Sequence, residues 1–143
     1  MKNNQEIADL IDTIEDMELE KAYFLYIKFC YKIIPLLDKV DLNYIIESIE
    51  KAKLFWFYGE SYVAESEIID RRVKIIKCMK EKNISYDINV QPELKFSILP
   101  LWTKPPSSEI GDSLDWAFTL LKVIGISDET IKTKLSEVLC DIL

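Results

Sequence analysis

Apolar residues recur at helical spacing along most of this 143-residue chain. In residues 3–17 the stripe is Ile7, Leu10, Ile11 and Ile14, with Asn3 or Asn4 placed to cap it and Glu6 in the first turn. Residues 18–37 carry Tyr23, Phe24, Ile27, Cys30, Tyr31 and Ile34 and are apolar almost all round. That pattern predicts a central helix. Pro35 should stop or kink it, because proline disfavours the helical conformation of the residue before it. Asp41 opens a third helix with the stripe Leu42, Ile45, Ile46, Ile49, Ala52 and Trp56, closed by Gly59. Its last turn, Phe55-Trp56-Phe57-Tyr58, reads as core packing or as an exposed aromatic anchor. Residues 60–82 predict the longest helix. Tyr62, Ile69, Val73, Ile76 and Met79 mark its buried face, widened by Ile68 and Ile75.

The helical period breaks at 83–106. Ile84, Tyr86, Ile88 and Val90 alternate with polar residues, and Phe96, Ile98 and Pro100 repeat the alternation. This is the period of a strand, read as a short hairpin lying on the helices or as an extended crossover. Beyond the prolines, Ser107 or Ser108 begins a helix with the stripe Ile110, Leu114, Ala117, Phe118, Leu121 and Ile124, ended by Gly125. Ser127 caps a last helix carrying Ile131, Leu135, Val138, Leu139 and Ile142. So short a loop predicts that these two helices pair antiparallel. The expected fold is mainly α, a single-domain bundle of about six helices over residues 1–143, with a short extended or hairpin segment at 84–100.

Composition supports this picture. A hydrophobic share of 49 % suffices for one core, and three glycines are too few for a turn-rich sandwich or barrel. No apolar run approaches the roughly 18 residues of a membrane span. The polar, acidic start predicts no signal peptide. Cys30, Cys78 and Cys140 are odd in number and far apart, and read as buried thiols in a reducing compartment. A cytoplasmic location is expected.

Charge changes the picture more than composition does. The net charge is −7, and between Glu6 and Glu20 there are seven acids and no base. Six bases against one acid occupy residues 71–82, in the second half of a helix whose first half is acidic, a polarity that suits the helix dipole. Phosphate neutralisation needs a basic surface, so no nucleic-acid partner is expected. An acidic protein more readily meets a basic protein.

Candidate chemistry is sparse. The absence of histidine removes His-based triads, the usual base near neutral pH and the commonest metal ligand. Isolated glycines build no phosphate loop, and no Cys-x-x-Cys suggests zinc. The carboxylate pairs Glu47/Glu50, Glu65/Glu67 and Asp112/Asp115 read as solvated helix faces. Neither enzymatic activity nor a cofactor or metal is expected.

Recognition is the reading that is left, and it centres on Leu99–Phe118. This stretch holds three of the five prolines and two of the three tryptophans. Glu109, Asp112, Asp115 and Trp116 should lie away from the apolar stripe of their helix, next to a proline-stiffened loop with Trp102. An aromatic anchor beside steering charge is the composition of an interface patch. The acids of the first helix, Glu15 and Asp16 among them, compete as a second landing surface. An adaptor or regulator acting by protein contact or homodimerisation is the alternative, suggested by the surplus of aromatics.

The run Leu101-Trp102-Thr103-Lys104-Pro105-Pro106 through Ser113-Leu114-Asp115-Trp116-Ala117-Phe118 sits in a small, acidic, mainly helical chain. In this overall character the chain resembles the immunity proteins of bacterial polymorphic-toxin and contact-dependent inhibition systems. The resemblance implies a cytoplasmic protein that binds one cognate toxin, often a nuclease, and covers its active site or substrate surface. It implies no catalytic residues, and the charge and hydropathy patterns above add the expectation of no nucleic-acid contact and no membrane association.

Overall fold

The computed structural model describes residues 2–37, 43–59, 63–82, 91–102 and 110–142. Seven α-helices run through them: α1 (Lys2–Glu15), α2 (Leu19–Ile33), α3 (Asn43–Tyr58), α4 (Glu65–Glu81), α5 (Pro92–Ser97), α6 (Ile110–Ile124) and α7 (Asp128–Ile142). Tight 3-10 turns follow α2 at Ile34–Leu36 and α5 at Leu99–Leu101. The architecture is mainly α, with no strand among the described residues.

The central helix is α2. It buries Ala22, Tyr23, Leu25, Tyr26, Ile27, Phe29, Cys30 and Ile33, and it packs against α1, α3, α6 and α7. Each fully buried aliphatic or aromatic side chain contributes about 1.5–3 kcal/mol of transfer free energy. Phe29 meets Phe118 edge-on at 5.7 Å between ring centroids. The Tyr23 and Ser113 hydroxyls are 2.7 Å apart and tie α2 to α6. Pro35 stands in the 3-10 turn that ends the helix, where its fixed φ fits and its missing N–H costs little. All seven helices place residues in one apolar cluster.

Four expectations need correction. First, residues 92–97 are helical and 99–101 a 3-10 turn, so Phe96, Ile98 and Pro100 belong to no strand. Pro92 starts α5 with a preset φ, and all three of those residues are buried. Residues 84–90 lie outside the described residues, as does Tyr62. Second, the inward face of α4 is centred on Ile68 and Ile75, with Ile76 and Met79 packed against the core, and it leaves out Ile69 and Val73. Ile68 and Ile75 are buried, whereas Ile69 is 37 % and Val73 52 % exposed. Arg71 explains this, since it reaches α3, donating to Ser48 Oγ and to Glu47 Oε1, each at 3.1 Å. Third, α6 and α7 do not lie along one another. Gly125, at φ +103°, closes α6 through N–H bonds from Gly125 and Ile126 to the Leu121 carbonyl. The Ser127 hydroxyl then caps α7 by accepting the Thr130 N–H at 3.1 Å. From that turn α7 packs chiefly on α1 and α2, and α6 chiefly on α5 and α1. Fourth, only Cys30 is a buried thiol; Cys78 and Cys140 are exposed.

The aromatic end of α3 divides its roles. Phe57 packs against Phe24 at 5.2 Å and Tyr31 at 6.0 Å between ring centroids, while Tyr58 is exposed. Burial pushes the Cys30 thiol and the Tyr26 and Tyr31 phenols well above their ordinary pKa values, with Cys30 adding to the effect on Tyr26 and Glu50 to that on Tyr31.

Candidate functional site

The acidic first helix and the acidic start of α6 are neighbours. Glu15, the last residue of α1, places its carboxylate against Gly111 in the first turn of α6. Further along, Ile7, Ala8 and Ile11 of α1 face Asp115, Phe118, Thr119 and Lys122 of α6. The end of α1 meets the start of α6, and the first half of α1 meets its later turns. The two helices therefore run antiparallel. Ala8, Ile11, Asp12 and Glu15 follow the i, i+3, i+4, i+7 spacing of one helix edge.

Where the first half of α1 crosses the fork between α6 and α7 there is a groove of about 260 Å3. Its apolar lining comes from Ile7, Ile11, Phe118 and Ile131, and its polar lining from Asp115, Thr119, Lys122 and Asp128. Lys122 Nζ stands 3.8 Å from Asp128 Oδ1, near enough for an ion pair but too far for a hydrogen bond. The Asp128 oxygen is buried and accepts no hydrogen bond.

Several acids off this face are held in ion pairs. Glu137 pairs with Lys32 and Lys134, Glu67 with Lys51, Glu47 with Arg71, and Asp70 with Lys74. Asp9, Asp12, Glu15, Asp16, Asp112 and Asp115 form no ion pair among the described residues. All six are exposed. Beside them on α6, Trp116 is 43 % exposed. Of the expected contact residues, the structure thus gathers Asp112, Asp115, Trp116, Glu15 and Asp16 on or beside the paired helices α1 and α6. Glu109 lies outside the described residues.

Trp102 sits in a different environment. The Trp56 indole N–H donates to the Trp102 carbonyl at 2.7 Å, and Arg72 donates to the Leu101 carbonyl at 3.2 Å. The Arg72 guanidinium stacks 4.0 Å from the centroid of the Trp102 ring, and burial lowers its pKa. These contacts hold Trp102 to α3 and α4 as part of the packing.

Sequence spacing missed the groove residues Ala8, Thr119, Lys122 and Asp128. Ala8 lies on the α1 edge with Ile11, and Thr119 and Lys122 on the α6 edge with Asp115 and Phe118, but only tertiary packing brings these edges together with Asp128 of α7, so spacing within one helix does not announce the groove. Among the described residues no three His, Cys, Asp or Glu side chains gather as a metal set, and no helix is long and apolar enough to cross a membrane. No protein-family model, curated protein or solved structure matches the chain.

Proposed function

We propose that the protein binds and neutralises a basic partner protein through the face shared by α1 and α6, in the manner of an immunity protein against a bacterial toxin, with a nuclease domain as the partner chemistry that suits it best. The observation that carries this reading is that Asp12, Glu15, Asp112 and Asp115 lie on two neighbouring antiparallel helices and form no ion pair among the described residues, with Trp116 exposed beside them. Nuclease surfaces that hold phosphate are basic, and an acidic face competes with the phosphates for the same cations. Long-range attraction would make association fast and salt-sensitive. The binding residues are Asp112, Asp115, Trp116, Glu15 and Asp16, and the site of action is the cytoplasm.

The test is protection. A toxin domain encoded beside this chain's gene is expressed in a host with and without the protein. Growth rescue together with a stoichiometric complex supports the reading. Loss of rescue on Asp112→Lys with Asp115→Lys places it on this face. Absence of both rescue and complex overturns it.

The adaptor reading draws on a separate observation, the exposed apolar strip of Ile69 and Val73 on α4. A tight homodimer in sizing experiments, closed by Val73 and opened by Val73→Lys, would favour it over toxin neutralisation.

A further inference from the structure

We propose that the groove between α1, α6 and α7 seats one large apolar side chain from a basic amphipathic helix of the partner, with that helix's lysines or arginines meeting the acids on either side. This rests on the acidic-face reading above and adds to it a specific seat. An apolar cavity of about 150 Å3 takes up a molecule the size of benzene, so a groove of about 260 Å3 has room for one leucine, phenylalanine or tryptophan side chain. Ile7, Ile11, Phe118 and Ile131 supply an apolar lining for it. Asp12 and Glu15 lie along one wall by helical spacing, and Asp115 lines the other. Lys122, the one lysine among the described lining residues, stands beside Asp128. An apolar seat edged by acids that form no ion pair among the described residues complements an apolar ridge flanked by cations, which is the helix-in-groove mode with the charge pattern specified. A neutral apolar peptide would leave the acids unanswered, and an acidic helix would be repelled.

Three synthetic helical peptides of about 18 residues test the seat. The first carries a leucine ridge flanked by lysines. In the second alanine replaces the ridge, and in the third glutamate replaces the lysines. Amide chemical-shift mapping should place the first peptide on α1, the later turns of α6 and the first turn of α7. The second should bind about tenfold more weakly and the third should not bind. Ala8 is exposed and lines the groove, so Ala8→Trp fills the seat without removing a core residue or a charge. It should lower the affinity of the lysine–leucine peptide by about tenfold and leave that of the lysine–alanine peptide unchanged. Thr119→Trp fills the same space from α6 and serves as a second variant if the first unfolds. No binding of the lysine–leucine peptide, shifts confined to α4, or unchanged affinity in both filled variants each overturn the seat. If the two lysine peptides bind equally and Asp112→Lys with Asp115→Lys abolishes both, the seat falls while the acidic face stands. If those charge reversals change nothing, the acidic face falls as well.

Discussion

The carboxylate of Glu15 lies against Gly111, filling the space a β-carbon at that position would need. The contact joins the end of α1 to the first turn of α6, where unpaired backbone N–H groups favour a negative charge. Gly111 is the second residue of its helix, and a helix interior disfavours glycine. Its value here is the close approach it allows.

Two opposing changes are expected from Gly111→Ala. Better helix propensity adds about 0.5–1 kcal/mol, and displacing the exposed Glu15 carboxylate removes about 0.3–1 kcal/mol. The net effect should be small, so the informative measurement is a double-mutant cycle by urea denaturation. Glu15→Gln should cost about 0.3–1 kcal/mol in the parent protein and almost nothing beside Gly111→Ala. Equal costs in both backgrounds would show that the carboxylate does not act through this turn.

Arg72→Ala should destabilise the protein by about 1–3 kcal/mol, because it removes both the stacking on Trp102 and the hydrogen bond to the Leu101 carbonyl. Arg72→Lys should recover only part of the loss, since an ammonium lacks the planar surface that stacks on indole. Tryptophan emission of the folded protein reports the same event, and an unchanged spectrum in Arg72→Ala would count against the stacked geometry.

These two clusters show why some of the structure was legible in the sequence and some was not. The centrality of α2 could be read from an apolar pattern with no polar side, and its end from Pro35. The stripes of α6 at Leu114, Ala117, Phe118 and Leu121 and of α7 at Leu135, Val138 and Leu139 are buried as their spacing predicts. On α4, hydropathy favoured Ile69 and Val73. Burial went to Ile68 and Ile75 because Arg71 is held against α3 and Arg72 against Trp102, and arginines carry no apolar signal. Phe96 in α5 and Ile98 just after it alternate as a strand would, yet they are helical and turn residues, because a six-residue helix enclosed by neighbours need not show an amphipathic stripe. Trp102 looked like a free anchor because its partners, Trp56 and Arg72, are 46 and 30 residues away. The two acidic clusters looked like rivals because roughly a hundred residues separate them. Only tertiary packing of α1 on α6 makes them one face.

Stability should fall in alkaline solution. Burial makes ionisation of Cys30, Tyr26 and Tyr31 unfavourable in the folded protein. In the unfolded chain a thiol titrates near about 8.5 and a phenol near about 10. Above those values the folded state holds protons that the unfolded state has released, so the free energy of unfolding declines as pH rises. The contribution is complete below about pH 8 and shrinks through the alkaline range, by up to about 1.4 kcal/mol per pH unit for each fully buried group. Urea midpoints between about pH 7 and about pH 10.5 measure the decline. Cys30→Ala should flatten its first part and Tyr26→Phe its later part. A midpoint independent of pH would show that these groups ionise in place.

The face proposed for binding should weaken the fold that carries it. Asp12, Glu15, Asp112 and Asp115 share one surface and form no ion pair among the described residues, so they repel one another in the free protein. Asp12→Asn and Asp115→Asn should each raise stability by a few tenths of a kcal/mol at low salt, and added salt should raise the melting temperature of the parent protein more than that of the double variant. The same two substitutions should weaken binding of the lysine–leucine peptide and reduce its salt dependence. Opposite signs in the two measurements are what a surface held for contact produces, because residues kept for binding are not optimised for the isolated fold. If Asp12→Asn and Asp115→Asn lower stability instead, these two acids serve the helices they sit on, and the ground for reading this face as a contact surface is lost.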